Sequence, residues 1–114
     1  MITIYHNNRC SKSREALMLL QAKGYNPTVI HYLETAPTEA ELTTLLAQLG
    51  LTPRQLLRTK EVEFQTLGLE DPTLSDLDII RAMSKSPRLI ERPIVVFQDK
   101  AIIARPASLL EGFC

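Results

Sequence analysis

Ile2-Thr-Ile-Tyr-His-Asn-Asn-Arg-Cys-Ser-Lys-Ser-Arg-Glu-Ala-Leu-Met-Leu-Leu-Gln-Ala-Lys-Gly24 changes its hydrophobic period within a few residues. Ile2 and Ile4 alternate with Thr3 and Tyr5, a β-rich pattern that predicts a strand. Asn7-Asn8-Arg9 is a polar turn. From Ser11 to Lys23 the period becomes helical, with Ala16, Leu17, Leu20 and Lys23 on one side and Gly24 as the stop. Cys10 therefore falls where loop becomes helix. Thr28 to Tyr32 predicts a second strand, so the segment is a βαβ unit whose crossover should be right-handed.

Outward from this unit the pattern turns helical. Thr38 and Glu41 form a capping box ahead of Leu42, Leu45, Leu46 and Leu49, and Gly50 ends that stripe. Thr52, Pro53 and Gln55 start another helix, expected to hold Leu56, Leu57 and Arg58. A short helix is expected over 62–67. Ser75 caps one that carries Leu77, Ile79, Ile80 and Met83, with Leu74 and Ile79 spaced as a hydrophobic staple. Residues 36–86 thus read as an all-helical insertion within a single domain of 1–114. Pro93-Ile-Val-Val-Phe97 is a continuous apolar run, as a central strand requires. Gln98-Asp-Lys100 is a turn, Ala101 to Ala104 the return strand, and 106–113 a final short helix. The element order βαβ, helices, ββα predicts an α/β fold with a mixed four-stranded sheet.

Composition narrows the function. The 114 residues suit one compact domain, and 45% hydrophobic with 23% charged is an ordinary globular balance. Thirteen basic residues against 13 acidic ones give a formal net charge of +0. Nucleic-acid partners favour a basic surplus, so none is expected. No apolar run approaches the roughly 20 residues of a membrane span, and the N-terminus lacks the basic and apolar regions of a signal peptide. No membrane association and a cytoplasmic location are the expectation. Cys10 and Cys114 are the only cysteines, and a reducing compartment would leave them unbridged.

Cys10 carries the chemistry. At a helix start, unpaired backbone N–H groups and the helix dipole favour thiolate over thiol. Arg9, Lys12 and Arg14 add positive charge, and His6 ends the adjoining strand. Ser11 and Ser13 can donate hydroxyl hydrogen bonds to the sulfur or to a bound anion. A buried cysteine serving only as a small hydrophobe would have apolar neighbours; these are polar and basic. Cys10-Ser-Lys-Ser13 is a Cys-x-x-Cys motif with its second thiol replaced, so an external thiol must resolve any intermediate. Phosphatases of the Cys-x5-Arg type are excluded, because the sixth residue after Cys10 is Ala16.

Arg92 and Arg105 stand at the two ends of the predicted hairpin, each before a proline, where they can converge on the first helix's N-terminus. Arginines there can hold a tetrahedral oxyanion by paired hydrogen bonds. Pro93, directly before the central-strand pattern, is where a thioredoxin-like fold carries its cis-proline facing the cysteine. Cys114 reads as a tail thiol, and His31 as structural. No Cys/His pairing has metal-site spacing, and no glycine-rich phosphate loop occurs.

Five stretches resemble the glutaredoxin-dependent arsenate reductase family: Ile4-Tyr-His-Asn-Asn-Arg-Cys-Ser-Lys-Ser-Arg14, His31-Tyr-Leu-Glu-Thr35, Leu56-Leu-Arg-Thr-Lys60, Glu91-Arg-Pro-Ile-Val-Val96 and Ala104-Arg-Pro106. The resemblance implies a thioredoxin-like fold with a helical insertion. It implies that Cys10 attacks arsenate or a similar oxyanion held by Arg58, Arg92 and Arg105. His6, Ser11 and Ser13 would help stabilise the thiolate. Glutathione would act as co-substrate, glutaredoxin would complete the cycle, and no cofactor would be bound. Two alternatives keep the fold and change the role: a glutathione-linked thiol oxidoreductase with another substrate, and a redox-sensing regulator that binds RNA polymerase.

Overall fold

The computed structural model describes residues 1–114, which form two compact units: Met1–Thr35 with Arg92–Cys114, and Ala36–Glu91. The first holds strands β1 (Ile2–Tyr5), β2 (Thr28–Ile30), β3 (Ile94–Phe97) and β4 (Lys100–Ile103) with helix α1 (Ser11–Ala22). The sheet order is β2-β1-β3-β4. β1 and β2 are parallel, as a βαβ crossover requires, while β3 and β4 run antiparallel to their neighbours. The apolar run at β3 is central, and the sheet is mixed as expected.

Alternation along β1 sends Ile2 and Ile4 into the core. There they meet Ala16 and Leu20 of α1, Val95, Ala104 and Leu110. The buried stripe of α1 is Ser13, Ala16 and Leu20, one polar group among apolar ones. The expected final short helix is a 3-10 helix confined to Ala107–Leu110, and Gly112 takes a left-handed φ of 80°. Its i to i+3 hydrogen bonds, such as Leu109 N–H to Pro106 O, place Leu110 fully in the core. Cys114 packs against that core. The second strand is also shorter than expected, because Glu34 and Thr35 N–H both bond His31 O and turn the chain.

The second unit contains α2 (Glu39–Leu49), α3 (Pro53–Leu56), α4 (Val62–Thr66) and α5 (Asp76–Lys85). Reciprocal capping boxes start α2 (Thr38 and Glu41), α3 (Thr52 and Gln55) and α5 (Ser75 and Asp78). Leu42, Leu45, Leu46, Leu56, Ile79 and Met83 are buried. Helix α3 stops at Leu56, so Leu57 and Arg58 are not helical. Leu57 pairs with Ile90, Arg58 N–H bonds Leu89 O at 2.7 Å, and Glu91 N–H bonds Leu56 O at 2.9 Å. Backbone partners distant in sequence thus take the groups that a longer helix would have used.

Leu20→Ala should lower stability by about 2–5 kcal/mol through lost burial and a cavity, and Thr38→Ala by about 1 kcal/mol through a lost cap. Urea unfolding midpoints measure both. Equal effects of the two variants would contradict the assigned core.

Candidate active site

The strand register assembles the site at one end of the sheet. Tyr5 lies opposite Ile30 on one side and Ile94 on the other, and Ile94 lies opposite Ile103. Beyond that row the chain carries His6 to Cys10 after β1, His31 after β2, Arg92 before β3 and Arg105 after β4. Both arginines precede prolines in cis peptide bonds, Pro93 and Pro106.

Cys10 is the N-cap residue of α1, in extended conformation and 9% exposed. Its sulfur closes no cap hydrogen bond of full geometry, yet the Ser13 and Lys12 N–H groups lie close enough to act on its charge. Arg105 Nη1 approaches the sulfur at 3.8 Å. Burial by itself pushes the thiol up; the Ser13 N–H, the charge and hydrogen bond of Arg92, and the Lys12 N–H together outweigh it. The pKa ends below the ordinary thiol value of 9.0. The sulfur is thus biased towards the nucleophilic form.

Ser13 and His6 do something different from what their types suggested. Both are buried, His6 at 2% exposure. Ser13 Oγ accepts the Asn7 N–H at 3.0 Å and meets His6 Nδ1 at 2.6 Å. His6 Nε2 faces Asn8 Oδ1, an acceptor. A neutral ring carries one proton, which this partner draws to Nε2, leaving Nδ1 to accept the single Ser13 hydroxyl proton. The Ser13 hydroxyl is therefore committed to His6, and only its backbone N–H serves the sulfur. Burial lowers the His6 pKa below 6.5, aided by the charges of His31 and Arg14 and opposed by the Asn8 hydrogen bond. Ser11, at the first helical position, is exposed, and its hydroxyl makes no bond to the sulfur.

Arg58 belongs to the helical unit. Its guanidinium donates to Glu61 (Nε, 3.3 Å) and Glu91 (Nη1), and Glu61 also accepts from Arg88. Cys114 is half-buried; burial raises its pKa, and the Lys23 charge offsets this only in part. It is a poor nucleophile.

Asn7 and Asn8, which the sequence marked only as turn formers, hold the loop that leads into Cys10. Asn7 Oδ1 accepts the Arg9 N–H at 3.0 Å, and Arg14 Nη1 donates to Asn8 O at 2.8 Å. Asparagines in a turn just before a helix cap are the available signal, since their side chains bond backbone groups two residues on.

The ArsC family profile matches residues 5–113. This chain belongs to the ArsC family. It is similar to the uncharacterized protein YfgD of Escherichia coli K12, 50% identical over 106 residues, covering 92% of this chain and 89% of that protein. It is 45% identical over 109 residues to an arsenate reductase of Yersinia enterocolitica, covering 96% of this chain and 77% of that protein. The solved arsenate reductase of Vibrio cholerae superposes with a TM-score of 0.96 at 46% identity, covering 99% of this chain and 97% of that one. This ArsC member has the thioredoxin-like fold expected from its sequence.

Ser13→Ala would orphan the half-buried Asn7 N–H and the buried His6 Nδ1, and should cost about 1–3 kcal/mol in urea unfolding. Between pH 6.5 and the lower folded pKa of His6, the unfolded chain binds a proton that the folded one does not. Stability should therefore fall as pH drops through that window, and His6→Gln should flatten the slope. Arg92→Gln should raise the Cys10 pKa, read from the pH dependence of alkylation rate by iodoacetamide; an unchanged midpoint would contradict the Arg92 contact.

Proposed function

We propose that this ArsC member is an arsenate reductase using Cys10 as nucleophile. The carrying observation is one sulfur favoured as thiolate with two guanidinium groups upon it, Arg92 and Arg105. A thiolate and an oxyanion repel by about 4 kcal/mol per pair of unit charges at 4 Å and an effective dielectric of 20. Cations at the sulfur offset that repulsion where the new bond forms. The relatives named arsenate reductase support this choice of substrate.

The chemistry balances in three steps. The Cys10 thiolate first attacks singly charged arsenate. An S–As bond forms, one As–O bond breaks, and the departing hydroxyl leaves as water with the proton that the thiol shed on ionising. Glutathione sulfur then attacks the Cys10 sulfur. An S–S bond forms, and the S–As electron pair stays with arsenic, which takes the glutathione thiol proton and leaves as arsenite. Arsenic falls from the +5 to the +3 state while two thiol sulfurs become a disulfide. A second glutathione, with glutaredoxin as catalyst, frees Cys10 as thiol and leaves glutathione disulfide. The external thiol is needed because Ser13 stands where a resolving cysteine would be. A reducing cytoplasm is the matching compartment.

Purified protein with glutathione, glutaredoxin and glutathione reductase should consume NADPH on addition of arsenate. Cys10→Ser should abolish this, and Arg92→Ala or Arg105→Ala should lower kcat/KM by about 10²–10³-fold. Ready glutathionylation of Cys10 without arsenate turnover would move the substrate away from arsenate.

A further inference from the structure

Three side chains lead in sequence to the Cys10 sulfur, and the outermost has no role assigned to it. The innermost link is the Ser13 N–H. Burial pushes the Cys10 thiol up, and this N–H is the largest of the influences that bring it down. Ser13 is wholly buried; its Oγ meets His6 Nδ1 at 2.6 Å and accepts the Asn7 N–H at 3.0 Å. His6 Nε2 in turn faces Asn8 Oδ1. Asn8 is exposed, and Arg14 Nη1 holds its backbone by donating to Asn8 O at 2.8 Å. The sequence resemblance gives parts to His6 and Ser13 and none to Asn8.

Proton counting shows what Asn8 decides. A neutral imidazole holds one proton, on Nδ1 or on Nε2. An acceptor at Nε2 selects the Nε2–H form, so Nδ1 takes the Ser13 hydroxyl proton and every group is satisfied. With its proton on Nδ1 instead, the ring would donate to Ser13 Oγ, which already accepts the Asn7 N–H. Both lone pairs of Oγ would then be used, and the hydroxyl proton would need another acceptor in a wholly buried position. An unpaired buried hydroxyl is costly enough to turn the side chain towards a backbone carbonyl. That movement would loosen Ser13 from His6 and Asn7, which hold it in the first turn of α1, and draw its N–H off the sulfur. The ring is neutral because burial lowers its pKa more than the Asn8 bond raises it, with the His31 and Arg14 charges lowering it further.

We propose that Asn8 is a positioning residue for the thiolate chemistry, fixing His6 as the Nε2–H tautomer and thereby holding the Ser13 N–H on the Cys10 sulfur. It acts through His6 and Ser13, not on the sulfur itself. The inference rests on Cys10 as the nucleophile of the function proposed above and is independent of the substrate.

The test follows the ring and the sulfur separately, in the full chain. The chain has two histidines, so His31→Gln assigns the His6 ring signals in long-range 1H–15N spectra. At about pH 8, where an ordinary imidazole is neutral, the natural chain should show the Nε2–H tautomer. Asn8→Leu, close in size but without an acceptor, should move the ring towards Nδ1–H. It should also raise the pH midpoint of Cys10 alkylation by iodoacetamide and slow the reaction below that midpoint about three- to tenfold. Asn8→Asp keeps an acceptor oxygen and should retain the Nε2–H ring, a rescue that a loss of loop packing alone would not produce. Asn8 is exposed, so both variants leave the core intact. An Nδ1–H ring in the natural chain would overturn the proposal. So would a changed tautomer in Asn8→Leu with an unmoved alkylation midpoint, or a raised midpoint with the ring unchanged. Arsenate enters neither measurement: failure here leaves the arsenate reading standing, and absent arsenate turnover leaves this one standing.

Discussion

Negative charge on one nearly buried sulfur is the constraint on which the site depends. Burial works against the thiolate, so the surroundings must supply more stabilisation than burial removes. The start of α1 supplies part of it, because its first N–H groups have no intrahelical acceptor. The rest comes from Arg92, and Arg105 Nη1 stands 3.8 Å from the sulfur; both adjoin Cys10 only because β1, β3 and β4 are neighbours in register. A slip by one residue in either antiparallel pair would exchange the faces of the strand residues and move the arginines off the sulfur. The same register serves the core, since Ile4 and Val95 pair within it. Stability and chemistry are set by one sheet.

The loop between β1 and α1 is held by its own hydrogen bonds. Its hydrogen bonds run through Ser13: the Asn7 N–H enters the hydroxyl, whose proton goes to His6, whose second nitrogen meets Asn8. Each group satisfies another, so the loop can bury a histidine and a serine without orphaned polar atoms. This arrangement also explains why a serine suits the position three after Cys10. A thiol there would be a weaker donor to His6 and a weaker acceptor for Asn7. The monothiol character of the site and the rigidity of its loop therefore have one cause.

The charge arrangement divides labour between the two units. In the sheet-bearing unit the arginines serve the sulfur. In the helical unit Arg58 and Arg88 are laced to Glu61, Glu63 and Glu91. Largely exposed pairs such as Arg88 with Glu61 and Glu63 are worth little each, about 0–1 kcal/mol. The half-buried Arg58 is held more firmly, between two carboxylates.

Much of the fold was legible in the sequence, because short-range physics wrote it there. Alternation at Ile2 and Ile4, the Thr38–Glu41 and Thr52–Gln55 boxes and the apolar run before Phe97 each depend on neighbours within a few residues. Cys10 could be recognised for the same reason: a helix start next to basic residues is a local fact. The tertiary structure decided what local rules leave open. It ended α3 at Leu56 by offering Leu57 and Arg58 backbone partners from residues 89–91. It made a 3-10 turn of 107–110, where burial of Leu110 outweighed helix continuation. It turned the Ser13 hydroxyl to His6 rather than to the sulfur, and brought Arg105, 95 residues away in the chain, to Cys10. Hydrogen bonds between distant residues depend on register and packing, which no local window of sequence contains.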